Sequence, residues 1–327
     1  MRGRAIGLVL LGLGAFLLAG ALAVRLLLEP ALVKYPLDQT ASPTAQGTDV
    51  SFFNIAEQEQ LEGLRADVRQ QVQGDPSSEA AGDDVAVWNF GSTITGEDGT
   101  LLNAGTYRVC IDRREAVAVD CEVDHVDYDD DVAVEGLTLT FPFGTEQKDY
   151  DVFNSTTRQA FPATFEGVEE LEGLEVYRFQ MSIPDTVVRE LDVPASFAGA
   201  DGDGTVTAEV VYSNERTIWV EPTSGVIVTS EEQPLTVLRG PDGQEGPTVL
   251  AGTFAGDEST ISAGVERAED TAGQINLLKN IVPLLLLVLG LLALAAGVLL
   301  TLRADRRGAH HADVPAQPEP QKVPQAQ

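Results

Sequence analysis

The chain has 327 residues, a formal net charge of −30 and two cysteines. Such acidity excludes a nucleic-acid binder, which needs clustered Lys and Arg against a polyanion. It also opposes direct docking of the acidic part on anionic lipid headgroups, and two cysteines without adjacent histidine cannot complete a four-ligand zinc site.

Read in chain order, residues 1–4 carry Arg2 and Arg4, and residues 5–28 are apolar except for Arg25. This run is predicted to be a first transmembrane helix. A cleaved signal peptide ending near Ala21-Leu22-Ala23 is the competing reading; against it, the apolar run continues through Leu28. A second run, 280–302, is uncharged from Ile281 to Leu302. At 1.5 Å per residue it spans about 33 Å as a helix, enough for a hydrocarbon core of about 30 Å. Basic residues lie before the first run and, as Arg303, Arg306 and Arg307, after the second. The positive-inside rule then places both termini in the cytoplasm and residues 29–279 outside, in a two-pass protein of the plasma membrane. That middle holds 14 basic against 48 acidic residues, a balance of −34.

The middle segment opens with an extended polar stretch, Lys34 to Thr48, and a short strand, Asp49 to Asn54. Leu61, Leu64, Val68 and Val72 recur at intervals of three and four, which predicts a minor helix. Residues 74–84 form a loop by composition. Strands are then predicted at 85–90, 106–111, 117–123, 137–143, 174–183, 205–213 and 248–254, with turns at 96–99, 201–204 and 241–247. Residues 217–228, "TIWVEPTSGVIV", read as a β-hairpin around Glu221-Pro222-Thr223-Ser224-Gly225, with Trp219 packing the core. The fold class is therefore a mainly antiparallel β domain with a minor helix, between two transmembrane α-helices. Residues 303–327 are Pro- and Gln-rich and are predicted to be a disordered cytoplasmic tail.

Catalytic chemistry finds little support. His125 is the only histidine of the middle segment, and neither a nucleophile elbow, a zinc-protease motif nor a phosphate loop occurs. Carboxylates are too abundant for any pair to be specific. No enzyme activity, catalytic residue or cofactor is expected. Asp127, Asp129, Asp130 and Asp131, in "DYDDD", are weak calcium candidates, as are Asp201 and Asp203; solvated loops are the simpler reading. His310 and His311 are a weaker metal signal still. Asn154-Ser155-Thr156 fits a glycosylation acceptor. Cys110 and Cys121, in an exported compartment, are predicted to form a disulfide. Ala15, Ala19 and Ala23, with Ala293 and Gly297, offer small-residue spacings along which the two spans could pack.

Several stretches together resemble one family, the two-span actinobacterial envelope proteins of the PorA porin family. They are "KYPLDQT" (34–40), "DRREAVAVDC" (112–121), "FPFGTEQKDYDVFN" (141–154), "FEGVEELEGLEVYRF" (165–179) and "RTIWVEPTSGVIV" (216–228). The resemblance implies an anchored, exported protein and brings no catalytic residues with it. The layout is also that of the class B scavenger receptors, which handle lipids.

Three functions are consistent with these features. The first is a non-catalytic envelope protein that binds or helps transport envelope lipids, which predicts an apolar cavity. The second is a channel subunit, which predicts a stable homo-oligomer with polar faces on the spans, and the sequence offers none; two spans enclose no pore by themselves, and β-barrel porins cross by strands instead. The third is a scaffold for envelope-building enzymes, which predicts an exposed apolar patch. The expected partners are membrane lipids and an envelope lipid or protein, with nucleic acid excluded.

Overall fold

The computed structural model describes residues 2–54, 57–199 and 204–309. They divide into two units: a β domain, Val33–Ile275, and a helical unit made of the residues before 33 and after 275.

In the helical unit, α1 (Arg2–Ala23) is followed by a π-helical turn (Val24–Leu28) and the short α2 (Glu29–Leu32). A second π-helical turn (Leu277–Ile281) leads into α4 (Val282–Ala309). Both segments are long and apolar enough to cross a membrane. α1 and α4 pack against each other through small residues at heptad spacing. Gly7, Gly14 and Ala21 are buried on α1, and Gly290 and Gly297 on α4. A Cβ on Gly7 would lie 3.1 Å from the Gly297 carbonyl oxygen, and one on Gly14 would lie 2.8 Å from that of Gly290. Glycine is required because the backbones touch. The expected Ala15 and Ala19 face is exposed instead. A spacing of seven keeps a straight seam between two helices, whereas a spacing of four drifts around the axis. α4 also runs on through Ala309, so the start of the predicted tail is helical; the first proline that would stop it is Pro315. The rest of that tail, with His310 and His311, lies outside the described residues.

The β domain is one antiparallel sheet, in the order β6-β5-β4-β3-β2-β12-β11-β10-β9-β8-β7 with β1 also on β3. Its first strands are β1 (Thr40–Ala41), β2 (Thr44–Asn54), β3 (Glu59–Gly74), β4 (Val85–Gly96), β5 (Leu101–Asp112) and β6 (His125–Val126). The remainder are β7 (Tyr150–Asn154), β8 (Gln159–Leu171), β9 (Leu174–Pro194), β10 (Thr205–Val220), β11 (Ile227–Arg239) and β12 (Glu245–Gly256). The sheet curls into a half-barrel. Single bridges Ile111↔Ala118, Val117↔Leu137 and Leu137↔Val152 link β5 to β7 through the irregular segment between them. Inside lies one large apolar cluster, drawn from both ends of the sheet, that includes Trp88, Val109, Phe141, Val152, Phe179, Met181, Ile218 and Val220.

Three expectations are corrected. The minor helix at Leu61–Val72 is part of β3: Ala66, Val68 and Val72 are buried while Arg65, Asp67, Arg69 and Gln71 are exposed. A spacing of four fits both periods, and strict polar alternation between the apolar positions decides for a strand. The helix of this domain is α3 (Glu258–Asn276), which covers the outer face of the sheet with Val265 and Ala268 against Val176 and Val228. Strands expected at 117–123 and 137–143 are irregular, with only single bridges. Their backbone groups find partners in other loops: Phe141 N–H donates to Gly225 O at 2.9 Å and Thr145 N–H to Pro222 O at 2.7 Å. The turn expected at 201–204 lies mostly outside the described residues; β9 and β10 on either side of it pair with each other.

Candidate functional site

Four of the five family-like stretches meet at one place in the β domain, around Tyr35. The hairpin of β10 and β11 supplies the base. Glu221, 5% exposed, folds over the turn, accepting from the amides of Thr223 (2.9 Å) and Ser224 (2.7 Å) and from the Ser224 hydroxyl (2.5 Å). A buried carboxylate is tolerable only with such donors. Gly225 has φ +70°, and a Cβ there would meet the Phe141 carbonyl oxygen at 2.0 Å. Only glycine allows that approach. The segment 140–145 lies across this turn, its Thr140 hydroxyl donating to Gly225 O at 2.9 Å.

Tyr35 closes the junction. Its hydroxyl donates to the Phe141 carbonyl, within 3.3 Å of the Ser224 carbonyl, and accepts from the Thr140 hydroxyl. Its ring stacks on Phe143 at 4.2 Å and meets Trp88 edge-on. Burial pushes the Tyr35 hydroxyl far above the usual phenol range, with Thr140 acting against it, so it stays protonated and keeps donating. The backbone on either side is held as well. Tyr35 N–H donates to Arg113 O at 2.7 Å, the Arg113 Nε donates back to Tyr35 O at 2.6 Å, and Trp88 Nε1 donates to Pro36 O at 3.1 Å. Lys34 Nζ lies 3.0 Å from Asp83 Oδ1 and 3.4 Å from Asp84 Oδ1. The lysine donates to the Asp83 carboxylate and holds its pKa below the usual range. The first residues of the domain are thus clamped to four separate segments.

Beside the junction opens a cleft of about 570 Å³, lined by Phe143, Glu146, Lys148, Tyr150 and Asp151 among others. Lys148 is paired with Glu146 at 2.6 Å and sits 5.3 Å over the Tyr150 ring. A second cleft, of about 560 Å³, holds Glu135, Phe153 and Arg158. Neither is the apolar cavity expected of a lipid carrier. Each mixes charged and apolar walls, and the inside of the half-barrel is filled by side chains.

The other sequence candidates are placed as follows. Asp127 Oδ1 accepts from Thr106 N–H at 2.9 Å. Asp129 pairs with Arg158 at 2.5 Å and accepts from Asp131 N–H at 3.1 Å. Those two carboxylates thus serve a turn at the β6 end, and Asp130 lies in the same turn. Among the described residues no three His, Cys, Asp or Glu converge as metal ligands. Asp201 and Asp203 lie outside the described residues. Cys110 and Cys121 form a disulfide, closing a loop of sequence separation 11; it joins β5 to an irregular segment rather than to a second hairpin strand. Asn154 Oδ1 accepts from Thr157 N–H at 2.9 Å in the β7–β8 turn. Trp219 is half-buried on the outer face, among the residues under α3, and donates to Glu169 at 2.8 Å; Ile218 and Val220 fill the core instead. Tyr35 and Arg113 gave no signal as site residues before the fold was known, because their partners lie in distant parts of the chain.

Comparison with known proteins agrees with the family resemblance of these stretches. A family profile described as Porin PorA matches residues 6–299. "Porin PorA" of Corynebacterium amycolatum is 23% identical over 376 aligned positions, covering 90% of this chain and 97% of that protein. "Porin PorA" of Corynebacterium resistens is 24% identical over 316 positions, covering 72% of this chain and 76% of its own length.

Proposed function

The chain belongs to the Porin PorA family, and from that premise we propose that it is a channel-type subunit whose conducting path forms between copies of the chain. The observation that carries this reading is the helix pairing. Where Gly7 meets Gly297 and Gly14 meets Gly290 the backbones are in contact, which leaves no lumen between α1 and α4. The large core cluster likewise fills the half-barrel. Among the described residues a single copy offers no path for ions, so a porin role requires an assembly.

In this reading the protein is non-catalytic and crosses the plasma membrane twice. Both termini are cytoplasmic and the acidic domain is outside, a placement supported by the basic residues at Arg2, Arg4, Arg303, Arg306 and Arg307. Outward-facing Phe16, Leu22, Leu284 and Leu292 give the helices a lipid-compatible surface. An acidic domain beside a path concentrates cations, so the path prefers them.

The test is reconstitution of the full-length protein in planar bilayers. Stepwise conductance with a reversal potential displaced toward the cation equilibrium potential is expected. A well-folded protein that never conducts would contradict the proposal.

A further inference from the structure

Each helix of the pair leaves α geometry for one turn, Val24–Leu28 in one and Leu277–Ile281 in the other. Single π-helical turns are rare and often mark functional positions. Each of these holds one cation, Arg25 in the first and Lys279 in the second. The Arg25 guanidinium donates to the Lys279 carbonyl oxygen at 2.7 Å.

The register is constant along the pair: Gly7 faces Gly297, Gly14 faces Gly290 and Arg25 faces Lys279, and each pair of numbers sums to 304. From Gly7 to Arg25 is about 27 Å of helix at 1.5 Å per residue. That is close to the hydrocarbon thickness of about 30 Å. If the glycine end lies at one boundary of the hydrocarbon, the two cations lie at the other, from which their long side chains reach the lipid phosphates.

Both side chains are exposed, and among the described residues neither joins an ion pair. Elsewhere Lys34, Arg108, Arg158 and Arg216 all hold carboxylates, as expected where acids outnumber bases 51 to 21. Glu29, one turn beyond Arg25, is the nearest carboxylate in sequence and forms no ion pair with it. The contact to the Lys279 carbonyl orients the guanidinium and uses one of its five N–H donors. The remaining donors and the neighbouring ammonium suit a phosphate, which arginine grips through paired N–H groups.

We propose that Arg25 and Lys279 together bind the phosphate of an anionic membrane phospholipid where the helical pair leaves the hydrocarbon. The site requires only that the helices lie in a membrane; it stands whether or not the protein conducts. It would give a chain whose central segment repels anionic lipid one local point of attachment to it.

The test is native mass spectrometry of the full-length protein in detergent, titrated with phosphatidylglycerol and, separately, phosphatidylcholine. One phosphatidylglycerol adduct is expected to bind about tenfold to thirtyfold more tightly than phosphatidylcholine, the size of two basic contacts. In R25Q/K279Q this preference disappears. Lys279→Arg keeps it, which separates loss of the site from loss of the fold, and Lys148→Gln in the β domain leaves it unchanged. Equal binding of the two lipids by the unaltered protein, or an undiminished preference in R25Q/K279Q, would overturn the assignment. Displacement of the lipid by millimolar inorganic phosphate would also overturn it, in favour of a site for the soluble ion.

Discussion

The helical pair and the β domain bring distant parts of one chain together by opposite means. Along the glycine seam of the helices the backbone groups are satisfied internally, so shape selects the partner there, and glycines at spacing seven let the two backbones touch. In the β domain, Arg113 and segments 34–36, 140–145 and 221–225 lie outside the strands. They are joined by buried polar contacts, with Glu221, Thr140, Arg113 and the Tyr35 hydroxyl each given a partner. Removing side-chain bulk makes the first contact. In the second, removing a single polar atom leaves an unpaired group in a dry interior. Pairing by shape should therefore yield to added volume, and the polar junction to lost atoms.

The largest effect is expected where the junction also depends on bulk. Gly225→Ala places a Cβ against the Phe141 carbonyl at a φ that favours glycine, and should cost about 3–5 kcal/mol, read from denaturant unfolding of the protein. Next comes the covalent tie. Cys110→Ser with Cys121→Ser opens a loop of sequence separation 11, for a loss of about 3 kcal/mol by the chain-entropy argument, seen as an equal drop on adding reductant to the unaltered protein. Tyr35→Phe keeps the ring stack and deletes the hydroxyl, leaving the buried Phe141 carbonyl short of its donor while Thr140 keeps Gly225 O. About 1–3 kcal/mol should be lost, and a neutral result would show that the junction is held by ring packing alone.

The smallest effect concerns the cap of α3. Partial burial works to raise the Asp257 pKa, but donation from Thr44, Ser259 and Thr260 outweighs it and holds the carboxyl at about 2. A depressed carboxylate adds stability that is complete above its unfolded pKa near 3.8 and is lost as pH falls toward about 2. Asp257→Asn should flatten the stability profile between those values and cost about 1 kcal/mol at neutral pH, the usual worth of a cap. An unchanged acid profile would mean that the carboxylate is not the helix cap in solution.

How much of this was legible in the sequence differs between the two regions for a physical reason. Apolar length and flanking charge are local, so both helices could be read directly. Their contact was read in part: Gly297 lies in the seam, but on α1 the Ala15–Ala19 spacing attracted attention while the seam uses Gly7 and Gly14. In the β domain, turn chemistry fixed the β10–β11 hairpin, because Pro222 and Gly225 act within four residues. Leu64, Val68 and Val72 misled because a spacing of four suits both a helix face and every second strand position. α3 was missed although Asp257 stands at its N-cap and Ile261, Val265 and Ala268 follow at helical spacing. The junction at Tyr35 was beyond reach, since it joins residues about 105 and 189 positions apart; its trace in the sequence was four family-like stretches whose meeting only the fold displays.

The central claim, that ions can pass only between copies, is tested most directly by counting subunits in conducting particles. Fluorescently labelled full-length protein would be placed in supported bilayers, and photobleaching steps recorded together with conductance. The account predicts that every conducting spot contains several copies and that single-copy spots stay silent. Steady cation conductance from spots that bleach in one step would contradict it, because it would require a path through helices whose backbones touch or through a half-barrel filled with side chains.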